Sequence, residues 1–386
     1  ERAERKTKAC RNNVRDEHRQ LISEEGMAMT AAMRRKMGIL VGTTLLLSAC
    51  AGFGPTTISR DRFDYTAAIS DSWKHQMLFN MVKIRYGDAP VFMDVTSVIS
   101  QYQIAGQINL AASINSTPWS NSETLGAMGQ YVDRPTISFT PILGDKFARS
   151  LMAPIPPAAI LSLLQAGYPA DLVFRMLVQE INGIRNRFGG EARARSADPE
   201  FYLLLEKLRK IQSDGAVGMR VQRKDKEEAA LMVFRGKRDP AMAALTLEVR
   251  KMLGLDPRTG EINVVYGTVP RDDKEIALQT RSLLEVLVDL SADIEVPAAH
   301  VEQRRVGPTH VEQAGTGQTI PPLIRIRSST EKPGDAFVSV PYRNSYFWID
   351  DRDLRSKKIF SFLMFVFTLV ETGDKGTAPI VTIPTG

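Results

Sequence analysis

Two copies of one tetrapeptide hold the densest chemistry in this 386-residue chain: His300-Val301-Glu302-Gln303 and, ten residues on, His310-Val311-Glu312-Gln313. Brought together across a hairpin, two imidazoles and two carboxylates would suit Zn²⁺, which takes nitrogen and oxygen donors in tetrahedral geometry. His300, Glu302, His310 and Glu312 are therefore the candidate metal ligands. The competing reading is a duplicated polar loop, since Arg304, Arg305, Gly307 and Pro308 intervene and Gly315 and Gly317 follow. His75 lies between Lys74 and Gln76, as a residue on a solvated helix face would. No nucleophile elbow, H-E-x-x-H, P-loop or dinucleotide fingerprint appears, so no residue is assigned to catalysis and no cofactor is implied. That leaves open a serine nucleophile whose partners assemble only in space. Asp350, Asp351 and Asp353 could bind a cation, but the start of a helix explains them as well.

The other reactive side chain is Cys50. Met33-Arg34-Arg35-Lys36 is a compact positive stretch, and Met37 to Ala49 is an apolar run of thirteen residues broken only by Gly, Thr and Ser. This is signal-peptide anatomy, and the run is too short for a spanning helix of about 20 residues. It ends in Leu47-Ser48-Ala49-Cys50, which resembles the lipobox of bacterial lipoproteins at all four positions. The resemblance implies cleavage before Cys50 and a thioether from its sulfur to diacylglycerol, often with acylation of the freed amine. Each buried CH₂ adds about 0.8 kcal/mol and one chain holds only marginally, so two or three chains make a stable anchor. Cysteine arithmetic agrees: Cys10 lies upstream of the cut, so the mature chain would keep one thiol and no internal disulfide. Ala51 follows, where Asp would resemble an inner-membrane retention signal, so the outer membrane, periplasmic face, is the expected destination. Residues 1–32 mix both charges and read as an upstream extension, with Met27, Met29 and Met33 as possible starts.

Composition narrows the class. With 43% apolar and 24% charged residues the chain reads as globular. The net charge of +6 sits mostly in the leader, because residues 1–49 hold ten Lys/Arg against six Asp/Glu and leave 40 against 38 for the rest. Nucleic acid is not an expected partner.

The elements that must position these groups follow from periodicity. Residues 50–62 read as the lipidated cysteine and a tether, and Asp64 to Tyr86 as a helix with Ile69, Trp73, Met77, Met81 and Ile84 on one side. Residues 101–104, 107–110 and 136–139 alternate as strands do. Proline and glycine set helices at about 157–166, 169–187, 199–213 and 240–253, the last two with Asp198 and Asp239 as caps. Val217 to Gln222 and Ala229 to Phe234 read as a hairpin, Glu261 to Tyr266 and Glu275 to Thr280 as strands, and Ser282 to Ile294 as a helix. Pro297 to Pro322 looks like a linker. Beyond it, Leu323 to Arg327 and Phe337 to Ile349 read as strands. Ile359 to Val370, apolar at ten of twelve positions, reads as a buried helix with Lys357-Lys358 where it surfaces, and Pro379 to Ile383 as a closing strand.

The expected fold is therefore α+β: a domain at 63–296 with a strand-rich start and a helical and hairpin centre, a linker at 297–322, and a compact β-β-α-β module at 323–386. The expected function is a lipid-anchored, non-enzymatic envelope protein, held on the membrane through Cys50. It would act as a subunit or docking partner of a membrane-associated assembly, with a protein partner or a second copy of itself. Aromatic stretches such as Tyr342 to Ile349 would support such an interface. The alternative is a lipid-tethered periplasmic hydrolase or metal-dependent enzyme built on the paired His-x-Glu units.

Overall fold

The structure is a computed structural model describing residues 55–99, 102–113, 122–133, 136–142, 149, 151–190, 194–215, 217–224, 227–234, 240–313, 317 and 319–371. The signal-like run, Cys50 and the closing strand at Pro379 to Ile383 lie outside them. By internal contacts the chain divides after Ser70. The described part of the first unit is helical and leaves Phe63 exposed.

Helix α1 runs Pro55–Arg85. It starts at Pro55 and not at Asp64: proline suits a first helical position, and no Gly or Pro interrupts the chain before Gly87. Four strands follow: β1 Phe92–Ile99, β2 Tyr102–Ser113, β3 Ser122–Asp133 and β4 Thr136–Ile142. β1 pairs with β4, and β2 pairs with β3 along its whole length from Tyr102↔Asp133 to Ser113↔Ser122. The expected strands at 101–104 and 107–110 are thus one strand that runs through Gly106.

The centre comprises α2 Pro157–Gln165, α3 Ala170–Leu177, β5 Val178–Ile181, β6 Ile184–Arg185, α4 Pro199–Ser213, β7 Val217–Lys224, β8 Glu227–Phe234 and α5 Pro240–Met252. It continues with β9 Glu261–Tyr266, β10 Glu275–Thr280 and α6 Leu283–Ser291. One expectation fails here. The helix expected over 169–187 stops at Leu177, because Asn182 and Gly183, at φ 45° and 86°, form the tight left-handed turn of a β5–β6 hairpin. Asp198 stands at the N-cap position of α4 as expected, but its carboxylate makes no capping bond there; it accepts from Arg185 N at 2.7 Å and ties α4 to β6. The strands form one sheet in the order β6-β5-β10-β9-β8-β7, antiparallel except between β9 and β10. α2 lies against β7, β8 and β9, while α4 bridges α3 and α5.

The stretch expected as a linker is folded. It contains α7 Ala298–Glu302, β11 Glu312–Gln313 and β12 Thr319–Ile320, and it buries His300, Val306 and Glu312. The C-terminal part then gives β13 Arg327–Ser329, β14 Ala336–Tyr342, β15 Ser345–Asp350 and α8 Leu354–Glu371. Phe337 to Ile349 is not one strand but a hairpin turning at Arg343 and Asn344, both at positive φ. Phe347 and Ile349 of the aromatic stretch enter the core, while Tyr342, Tyr346 and Trp348 remain half-buried.

α8 buries Ile359, Phe360, Leu363, Val366 and Phe367, at the spacing of one helical face. Its start is fixed by Asp353, whose carboxylate takes Ser356 N at 3.0 Å and Ser356 Oγ at 2.8 Å. Among the described residues no helix is long and apolar enough to cross a membrane. A single apolar core joins Met77, Leu78 and Met81 of α1 to the centre and to α8. The architecture is α+β.

Candidate functional site

The polar groups of interest gather around α6. A capping box opens that helix, with Ser282 Oγ accepting from Glu285 N at 3.2 Å and the Glu285 carboxylate accepting from Ser282 N at 2.8 Å. Within its apolar sequence the helix carries Asp289, and Asp293 follows a turn later, both buried. Arg281 Nη1 donates to Asp289 Oδ2 at 2.9 Å, and Arg187 donates to both oxygens of Asp293 at 2.7 and 2.9 Å. Gly189 N donates to Asp289 Oδ1 at 2.8 Å. Burial alone would raise the Asp289 carboxyl, but Arg281, Arg187 and this amide outweigh it and hold the group below the usual range. Two arginines and two carboxylates thus neutralise one another inside the fold. The network clamps the chain after β6 onto α6. The approach is close enough that a Cβ on Gly189 would lie 2.5 Å from that of Ala292.

This clamp forms one wall of a groove of about 900 Å³. The C-terminal end of α1 and the segment from Arg304 to Val311 supply the others. Arg304 and Arg305 stand exposed at its edge. Arg85 is buried, and its Nη2 donates to the carbonyls of Gly307 at 2.7 Å and Pro308 at 2.9 Å, which fixes that wall. Ser291 lines the groove, 1% exposed, and its Oγ has no hydrogen-bond partner among the described residues.

The two His-x-Glu units diverge for a geometric reason. On a helix, residues i and i+2 point to different sides; along extended chain they share a face. His300 and Glu302 sit on α7, so His300 turns inward, with Nδ1 2.7 Å from Tyr86 Oη, while Glu302 faces solvent. His310 and Glu312 lie on extended chain, and His310 Nε2 meets Glu312 Oε2 at 3.0 Å. Glu312 Oε1 also accepts from Ala197 N at 3.0 Å and from Tyr202 Oη at 3.4 Å. Burial and this carboxylate push the Tyr202 phenol up to about 12. His310 borders the groove whereas His300 does not. Among the described residues, no three His, Cys, Asp or Glu side chains are grouped to hold a metal. Nor do the three aspartates before α8 gather as a cation site, since Asp350 pairs with Arg327, Asp351 with Lys357, and Asp353 caps the helix.

Burial, then Arg305 and Arg343, lower the pKa of His300. With the folded value below the unfolded one, the unfolded state binds the extra proton, so this residue makes stability fall as pH drops below about 6.5. His300→Gln should reduce the loss of urea midpoint between pH 7.5 and pH 5.5. An unchanged loss would show that His300 titrates alike in both states.

Sequence reading reached His310 and Glu312 but missed the Arg187, Arg281, Asp289 and Asp293 network. The available signal was Asp289 within the apolar stretch of α6 and Asp293 four residues on, just past its end. The glycine pair that forms the groove wall had no signal, since its need arises only from the approach of α6. Comparison of the chain with family models, with curated proteins and with solved structures gave no match.

Proposed function

We propose that this chain is a lipid-anchored protein of the bacterial envelope that works by binding, as a subunit or docking partner of a membrane-associated assembly. The observation that carries this reading is Leu47-Ser48-Ala49-Cys50 at the end of a short apolar run behind Arg34-Arg35-Lys36. Supporting it, only one cysteine would follow the cut, where a diacylglyceryl thioether requires a thiol. The separation of His300 from His310 favours binding over metal-dependent hydrolysis, which rested on all four His-x-Glu side chains acting together.

Cys50→Ser tests the anchor. Cells expressing the unsubstituted chain should incorporate labelled palmitate into a membrane-bound form whose first residue is Cys50. The substituted chain should lose the label and remain uncut at that bond. Crosslinking followed by detergent extraction should recover the unsubstituted protein with a stoichiometric partner or as an oligomer of itself. An N-terminus at any other position, or a lone monomer after crosslinking, would defeat the reading.

A further inference from the structure

We infer that the groove between α6 and the Arg304–Val311 segment binds an organic phosphate, with the phosphate at Arg304 and Arg305 and an apolar portion against the aliphatic wall. Its volume of about 900 Å³ lies within the range of small-molecule sites. Three arginines and one histidine line it and, among the described residues, no aspartate or glutamate does. Of the carboxylates around it, Asp289 and Asp293 are engaged by Arg187 and Arg281 and Glu312 by His310, Tyr202 and Ala197, while Glu302 faces solvent and does not line the groove. Arg304 and Arg305 at the rim therefore face no acidic side chain among the described residues that line the groove, and a phosphate dianion would balance these two charges.

Guanidinium suits this role, because its planar fork of N–H donors matches phosphate oxygens two at a time. Val288, Ala292, Val301 and Val306 make much of the remaining lining aliphatic, so a bare ion would leave most of the space unused. Ser291 adds a buried hydroxyl with no hydrogen-bond partner among the described residues. The backbone at Arg304 is a separate sign. It sits at φ 57°, a left-handed conformation that glycine adopts freely and that side chains with a Cβ disfavour. An arginine occupies that position nonetheless.

The ligand could be a soluble organic phosphate or a phospholipid headgroup with its proximal chain. The inference holds whether or not Cys50 carries lipid. Calorimetric titration of the full chain should show hexyl phosphate binding at least tenfold more tightly than hexanol or inorganic phosphate. Arg304→Ala with Arg305→Ala should lose that affinity tenfold or more, whereas Arg271→Ala, at an exposed arginine elsewhere, should leave it unchanged. Arg304→Gly relieves the backbone, so it should weaken binding without lowering the urea midpoint, which separates loss of the site from loss of the fold. Flotation with phosphatidylcholine vesicles, with and without phosphatidic acid, distinguishes the sources. Flotation gained with phosphatidic acid and lost in the double variant identifies a lipid headgroup. Flotation unaffected by the double variant, alongside lost hexyl phosphate binding, identifies a soluble ligand. Equal hexyl phosphate affinity in the double variant, or no preference over hexanol, would overturn the assignment.

Discussion

Asp289→Ala is expected to destabilise the fold by about 3–5 kcal/mol, the range found when one partner of a buried ion pair is removed. The carboxylate is 1% exposed and answers three donors, Arg281, Arg187 and Gly189 N. Removing it leaves the buried Arg281 guanidinium without a carboxylate, while Arg187 keeps only Asp293, in a medium that solvates charge poorly. It also frees the chain at Gly189, so the wall of the groove should loosen. Urea denaturation should show a lower midpoint with little change in slope. Arg281→Met in the same chain should then cost much less than it does alone, because the cation it removes has already lost its partner. A single-variant loss below about 1 kcal/mol would mean that water reaches the network.

Deleting Ile359 to Gly386 should abolish the soluble folded state. The deletion takes away six buried side chains, Ile359, Phe360, Phe362, Leu363, Val366 and Phe367. At about 1.5–3 kcal/mol for each fully buried side chain, the loss is on the order of 10 kcal/mol, as large as the whole stability of a typical domain. It also strips the Phe92 ring of its neighbour Phe367, whose centroid lies 5.6 Å away. The shortened chain should partition into inclusion bodies or be degraded. If it instead stayed in solution and melted cooperatively, α8 would have to be an appendage.

What the sequence made legible was periodic or punctuated. α2 and α4 announced themselves by proline at the first position, β9 by alternation, and α8 by ten apolar residues in twelve. What stayed hidden depended on turns and distant partners. Asn182-Gly183 is a strong hairpin signal, but the apolar spacing of Val173, Met176 and Leu177 extended the helix past it. Arg343-Asn344 gives almost no signal, since arginine rarely takes positive φ, and so one apparent strand concealed two. The segment 297–322 looked like a linker because its composition is polar. Its burial comes from partners distant in sequence: Tyr86, more than two hundred residues away, holds His300, and Ala197 and Tyr202 hold Glu312. Of the candidate site, the pairing of His310 with Glu312 could be read from their spacing once the chain there was extended. The divergence of His300 from Glu302 could not, because identical tetrapeptides gave no reason to adopt different backbones.

The close of α1 and the C-terminal sheet set the order in which this fold can assemble. Tyr86 meets Tyr342 at 5.1 Å and Phe347 at 5.9 Å between ring centroids, and Arg85 reaches the backbone at 307 and 308. During synthesis these partners emerge only after most of the chain, so α1 must wait with Met77, Leu78, Met81 and Val82 uncovered. Contacts of such long sequence separation make folding slow, because the entropy of closing the loop is lost before the contact forms. On a growing chain the apolar face of α1 therefore stays uncovered until the C-terminal sheet has been made.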